Sequence, residues 1–350
     1  MPDASHVSSC RRKGSNAALS LVHETQGGLD PAAAAVIAQL GRAGMGGRVS
    51  APQARRHYSQ NRASLLAPLQ SVARITKLVP AEAGVQPLSF FYPTTIPLNS
   101  PAPALVFLHG GGWTLGDLDI YEPLVRALAN ATGSVVIWAH YRLAPENPYP
   151  AALEDVWKAC AWVQANAEEF GIDPNRIGVG GDSAGGNLAA VTALAARDGS
   201  IQFKPAYQLL LYPCVDLTAS YPSHEKFSEG YLLTGDLYAW YRHNYVKTGS
   251  AIDWRISPLF ASSFADVAPA VVLYVGFDLL RDEASVYIKK LQTAGVPVET
   301  LFFPGQIHGF LNMGGAIPAA QVALARIGIA VKYMLRRSAR EASPHILSLA

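Results

Sequence analysis

The sequence predicts an α/β fold, a mostly parallel sheet flanked by helices and carrying a helical cap. Three observations predict it. From about residue 85 onward, short apolar runs alternate with helical stretches, the rhythm of βαβ units. Several runs, among them Ala104-Leu105-Val106-Phe107-Leu108, are apolar without interruption, as strands covered on both faces are. One connection, Asp216 to Ile256, is about forty residues long and rich in aromatic side chains, too long to be structureless within a compact domain.

Composition sets the outer bounds. The chain has 350 residues, half of them apolar and 15% charged, enough for one large domain with a sizeable core. The formal net charge is +2 and no long basic run is present, so nothing points to a nucleic-acid partner. Arg11-Arg12-Lys13 is too short to bind a phosphate backbone and reads as part of a mobile, solvated tail spanning residues 1 to about 28. The three cysteines, Cys10, Cys160 and Cys214, are an odd and sparse set, which suits a reducing, cytoplasmic setting and core packing for the latter two. No metal-binding motif occurs. The first thirty residues lack the apolar core of a signal peptide. The best candidate span, Ala319 to Leu335, is broken by Arg326 and Lys332 and reads as an amphipathic helix, so no stable membrane insertion is expected.

Taken in order, Asp30-Pro31 opens a helix over Ala32 to Leu40, with an acid at its start and proline in its first turn. A second helix runs from Ala51 to about Leu66. Leu88 to Pro93 reads as an edge strand ending at proline, and Ala104 to Leu108 as a buried one. A helix from Tyr121 to Ala131, a strand over Ser134 to Ala139 and a long helix from Ala151 to Phe170 follow. Arg176 to Gly180 is a strand, and Ser183 to Ala196 the helix after it. Strands at Gln208 to Tyr212, Ala270 to Val275 and Thr300 to Phe303 complete the list, with helices from Arg281 to Ala294 and Ala319 to Arg336. The implied organisation is an N-terminal tail and cap helices over residues 1–80, a catalytic core over 81–215 and 257–350, and an inserted helical cap segment over 216–256. Most of the insertion's aromatics pack it onto the core, with one or two lining a pocket.

The chemistry centres on Gly181-Asp182-Ser183-Ala184-Gly185-Gly186, lying between a strand and a helix. A serine on a sharp strand-to-helix turn, with glycine two residues to either side, has the form of a nucleophile elbow. Side chains at the flanking positions would clash across the bend. About one chain in ten of this length carries the pattern by chance, so its neighbours must decide. His109-Gly110-Gly111-Gly112-Trp113 leaves a buried strand about seventy residues earlier, and such a loop offers backbone N–H donors to an oxyanion. The donors would be Gly111, Gly112 and Ala184. A nucleophilic serine needs a base and the base an orienting acid. Of the histidines after Ser183, His224 and His243 lie in the insertion and His345 in the tail; His308 follows a strand, where the base belongs. Asp278 also follows a strand and is the favoured acid. Asp282 and Glu283 fall at the next helix start, where carboxylates are common, and Asp216 is a further contender.

In their order and spacing these residues resemble the hormone-sensitive-lipase family of carboxylesterases, family IV of the bacterial lipolytic enzymes. The resemblance rests on His109-Gly110-Gly111-Gly112-Trp113, Tyr141-Arg142-Leu143-Ala144-Pro145-Glu146, Pro150-Ala151-Ala152-Leu153-Glu154-Asp155, Gly181 to Gly186 and His308-Gly309-Phe310, and spans roughly residues 80 to 340. It implies an eight-stranded α/β-hydrolase core, a cap built from the N-terminus and an insertion, hydrolysis of short- to medium-chain acyl or aryl esters, and no metal or organic cofactor. It also implies an ion pair between Arg142 and Glu146. One departure stands out: the family usually has proline directly after the catalytic aspartate, and this chain has Leu279. The expected activity is that of a serine carboxylesterase on a small-molecule ester, with Ser183, Asp278 and His308 as the triad. An amidase, lactonase or carbamate hydrolase would use the same triad, whereas a non-catalytic receptor on this fold would be expected to lack one member. A homodimer is left open.

Overall fold

The structure, a computed structural model, describes residues 27–41, 49–82, 84–96, 101–219 and 221–342. Cys10, the Arg11-Arg12-Lys13 cluster, most of the tail and His345 lie outside the described residues. One eight-stranded sheet runs through the molecule in the order β1-β2-β4-β3-β5-β6-β7-β8. Its strands are β1 (Val72–Ala81), β2 (Gly84–Pro93), β3 (Ala102–Leu108), β4 (Val135–Ala139), β5 (Ile172–Asp182), β6 (Gln208–Leu211), β7 (Ala270–Phe277) and β8 (Val298–Ile307). β1 and β2 pair antiparallel, as do β2 and β4; every pair from β4 through β8 is parallel.

The central strands are apolar for the reason their sequences suggest. Every residue of β4 and β6 is buried, and in β3 only Pro103 is not. Helices flank the sheet: α3 (Leu118–Thr132) packs against α9 (Ala319–Ala342), and α4 (Ala151–Ala165) against α5 (Ala184–Arg197). The α3 start is set by Asp117, whose carboxylate accepts the Ile120 N–H at 3.0 Å, and its end by left-handed Gly133. α8 (Arg281–Thr293) packs on β7 and β8.

Two readings of the sheet need correcting. β1 has no counterpart in the sequence pattern. Six consecutive residues, Ala73 to Leu78, are exposed, so the strand shows no buried face to betray it. Arg74 and Lys77 guard it as charges guard a free edge. In consequence β2 is not an edge strand, because β1 covers its outer side.

Outside the sheet, α1 (Pro31–Gly41) starts at Asp30, whose carboxylate accepts the Ala32 N–H at 2.8 Å. α2 (Ala51–Arg62) begins at a Ser50–Gln53 capping box. The stretch from Asp216 to Ile256 is helical only in part, over α6 (Pro222–Lys226) and α7 (Gly235–Tyr245). Among the described residues no helix is long and apolar enough to cross a membrane.

Candidate active site

The elbow at the end of β5 is closed by backbone contact. Ser183 has φ 55° and ψ −117°, a left-handed conformation that a non-glycine residue holds only under constraint. Its N–H donates to Leu211 O at 2.9 Å, and its carbonyl accepts from the N–H groups of Asn187 and Cys214. A Cβ on Gly185 would stand 1.9 Å from Leu108 O, and one on Gly181 2.3 Å from the same atom. That carbonyl is main chain and cannot step aside, so the pattern's two glycines are steric requirements.

Loops at the ends of β7 and β8 bring two other groups to the serine. His308 Nε2 lies 2.8 Å from Ser183 Oγ, and His308 Nδ1 lies 2.7 Å from Asp278 Oδ2. Asp278 is buried, and its second oxygen accepts the Leu280 N–H at 3.0 Å. Leu279 is buried in the same turn, with its carbonyl accepting from Ser223 Oγ; the aspartate reaches His308 without the usual proline. The competing acids are engaged elsewhere. Asp282 pairs with Arg281 and accepts the Ser223 N–H, Asp216 accepts the Thr218 N–H, and Glu283 faces His224 at 3.2 Å.

Across from the elbow, the glycine loop leaves β3. The N–H of Gly110 donates to Asp182 Oδ1 at 2.7 Å, so it is engaged. The carbonyl of Gly111 accepts from Thr114 and Leu115, which folds the loop back on itself. Gly112 has φ +59°, and a Cβ there would sit 2.1 Å from the ring of Tyr241 on α7. Glycine is required at this point because another element rests directly on the loop. His109 is no base: it is sandwiched flat between Trp138 and Tyr141, and burial holds its imidazole down at about 4, hence neutral.

A cavity of about 50 Å³ opens beside the serine, lined by Ser183, His308, Gly111 and Gly112, by Tyr58 and Arg62 of α2, and by Leu232, Leu233, Leu237 and Tyr241 of the insertion. A larger cavity of about 710 Å³ lies beside Tyr221, His224, Tyr238 and Arg242, and touches neither Ser183 nor His308. Ser183 and His308 both line the smaller one. Of the insertion's aromatics, Tyr241 lines it, while others pack; Tyr245, for example, stacks on Trp113 at 4.2 Å.

Sequence reasoning missed Asp182, Tyr58 and Arg62 in this lining. Asp182 was in plain view inside the glycine motif; it is buried, ties the elbow to the glycine loop, and burial raises its carboxyl to about 6. The expected Arg142–Glu146 pair does not form. Arg142 is taken by Asp155 at 2.8 Å and Glu154 at 3.3 Å, because the first turn of α4 presents both carboxylates to it. Glu146 instead pairs with Arg55 of α2 at 2.6 Å, and Arg55 also donates to the carbonyls of Thr114 and Ala144. Among the described residues no group of three or more His, Cys, Asp or Glu is placed to hold a metal ion.

An elbow serine, a glycine loop facing it and a strand-end histidine and aspartate on a mostly parallel sheet define an α/β hydrolase. Residues 105–312 match a protein family described as alpha/beta hydrolase fold. Carboxylic ester hydrolase LipN of Mycobacterium tuberculosis is 43% identical over 242 residues, covering 67% of this chain and 63% of that protein, so the match spans under two thirds of LipN. Carboxylesterase NlhH of the same species is 39% identical over 254 residues, 71% of this chain and 78% of NlhH. The crystal structure of LAE6, an alpha/beta hydrolase enzyme from the metagenome of Lake Arreo, superposes with a TM-score of 0.84 at 32% identity, covering 88% of this chain and 99% of that one. The chain belongs to this alpha/beta hydrolase family, in its hormone-sensitive-lipase-like branch.

Proposed function

We propose that the protein is a serine carboxylesterase acting on short-chain esters, with Ser183 as nucleophile, His308 as general base and acid, and Asp278 as the orienting acid. One observation carries the reading. A hydroxyl on a left-handed elbow residue lies 2.8 Å from an imidazole whose other nitrogen is 2.7 Å from a buried carboxylate. Ser183 Oγ attacks the ester carbonyl carbon and its proton passes to His308 Nε2. Asp278 accepts from Nδ1–H and so holds the imidazole in the tautomer that can take that proton. The N–H groups of Gly111, Gly112 and Ala184 receive the oxyanion, and each such donor contributes about 10²–10³ in turnover. The proton then goes to the departing alcohol. Water, activated by His308, cleaves the acyl-enzyme and releases the acid.

The names of the relatives support an ester substrate. In this reading α2 and the segment 216–256 act as a cap whose side chains choose the ester. The small cavity, walled by Leu232, Leu233, Leu237 and Tyr241, supports a short acyl group. The buried, unpaired thiols of Cys160 and Cys214 suit work in the cytoplasm. The test is turnover of p-nitrophenyl acetate, butyrate, octanoate and dodecanoate, with p-nitroacetanilide alongside. Ser183→Ala should lose on the order of 10⁴- to 10⁶-fold in turnover. Retention of most activity by that variant would overturn the assignment, and dominant cleavage of the anilide would make the enzyme an amidase.

A further inference from the structure

Arg62 is the last residue of α2 and lines the cavity beside Ser183. Its guanidinium lies 4.5 Å from the centre of the Tyr58 ring, with the phenols of Tyr121, Tyr241 and Tyr212 and, across the cavity, the Asp182 carboxyl as its other electrostatic neighbours. Among the described residues, no carboxylate pairs with it. Other arginines differ: Arg55, Arg126, Arg142 and Arg281 each hold one at 2.5 to 2.8 Å. Asp182 also lines the cavity, but its oxygens are directed to the Gly110 N–H, the Tyr121 hydroxyl and Asn312 Nδ2. The remaining walls include Leu232, Leu233 and Leu237, which offer the cation nothing.

Arg62 is partly buried and stacks on Tyr58, yet no carboxylate forms an ion pair with it, so its fork of N–H donors is left for an occupant of the cavity. The group that matches its planar fork is a carboxylate, which it grips with two parallel hydrogen bonds. We propose that Arg62 selects esters that carry a carboxylate a few atoms from the scissile carbonyl, such as half-esters of short dicarboxylic acids or acyl esters of short hydroxy acids. The inference rests on the ester-hydrolase reading above. Arg62 and Ser183 line the same small cavity, so the spacer between carboxylate and scissile carbonyl is short.

The test compares two pairs matched in shape, each with an isopropyl group in place of carboxylate: monoethyl succinate against ethyl 4-methylpentanoate, and acetoxyacetate against isobutyl acetate. In at least one pair the wild type should show the higher kcat/KM on the charged ester. Arg62→Met should lower that charged-to-neutral ratio by about 10- to 100-fold, the usual worth of a charge-assisted contact. Arg62→Lys should keep part of the preference. As a measurement free of turnover, Ser183→Ala should bind succinate in titration calorimetry, and Ser183→Ala with Arg62→Met should not. Preference for the neutral ester in both pairs, or a ratio unmoved in Arg62→Met, overturns the role of Arg62 while leaving the hydrolase reading intact. Failure of the wild type to cleave any of the four overturns both.

Discussion

Glu283 offers a test of how burial acts in the turn next to Asp278. It is fully buried at the start of α8, where one oxygen accepts the N–H groups of Val215 and Asp216 at 2.7 and 3.2 Å, and the other faces His224. Burial is the largest influence on its carboxyl and raises it from an ordinary 4.5 to about 7, against the opposing pull of His224 and the two N–H donors. A raised acid means the folded state holds its proton more tightly than the unfolded chain does. The resulting stability is full below pH 4.5 and is lost as pH rises through 7. The whole swing corresponds to about 3 kcal/mol, and the part falling between pH 5 and pH 8 to about 2.5 kcal/mol. Glu283→Gln removes the titration while its amide oxygen can still accept from Val215 and Asp216. Urea unfolding followed by tryptophan fluorescence at pH 5, 6, 7 and 8 gives both curves, and their difference cancels the titrating groups that do not touch Glu283; repeating the pair in a His224→Gln background removes the one that does. The variant should gain on the wild type steadily, by about 2 to 3 kcal/mol over that range. A difference that stays constant with pH to within about 0.5 kcal/mol would refute the account, because no buried proton would then be released.

Three further predictions concern the site itself. Asp278→Asn should lower turnover on the order of 10³- to 10⁴-fold through the wrong histidine tautomer, and Asp282→Asn far less; the reverse order in steady-state kinetics would move the acid to Asp282. Gly112→Ala forces a side chain into left-handed backbone and into the Tyr241 ring, 2.1 Å away, so turnover should fall by about 10²-fold. Adding Tyr241→Ala should restore part of it, and no recovery would mean that φ strain alone is responsible. Arg55→Met breaks the contacts to Glu146, Thr114 and Ala144 that hold α2 against the glycine loop. It should raise KM several-fold with little change in thermal midpoint, since a half-exposed pair contributes only about 0–1 kcal/mol; an unchanged KM would show that α2 needs no such anchor.

The parts of this molecule that were legible in the sequence are those whose requirements are local. Gly181 and Gly185 meet the carbonyl of Leu108, a steric fact set by a few residues of backbone and written as a short pattern. β3, β4 and β7 are buried, and a continuous apolar run is the direct consequence. β1 was illegible because its side chains answer to solvent; only its pairing with β2 makes it a strand. Arg142 and Glu146 sit four positions apart in one motif, yet their partners come from α4 and α2, and nothing in the hexapeptide states where those helices will lie. Arg62 was hidden for the same reason, since a cation at the end of a helix looks solvated until the helix is docked.

The residues around the elbow and those that wall the rest of the cavity come from different parts of the fold. Asp182 binds the Gly110 N–H at 2.7 Å, and the elbow glycines press on Leu108, the residue that ends β3 just before the glycine loop. The elbow serine and the glycine loop are therefore one rigid piece at the C-terminal ends of β3 and β5, organised before any substrate arrives. The cavity's other walls, Tyr58, Arg62, Leu232, Leu233, Leu237 and Tyr241, come from α2 and the insertion, which touch that piece through side chains such as Tyr241 on Gly112 and Arg55 on Thr114. Changes in those walls can alter which ester fits while the distances among Ser183, His308 and Asp278 stay as they are. Substitutions at Arg62 or Leu237 should accordingly shift substrate ratios, whereas substitutions at Asp182 should depress turnover on every ester alike. A variant of Asp182 that changed substrate preference at full turnover would show that elbow and cap are one unit after all.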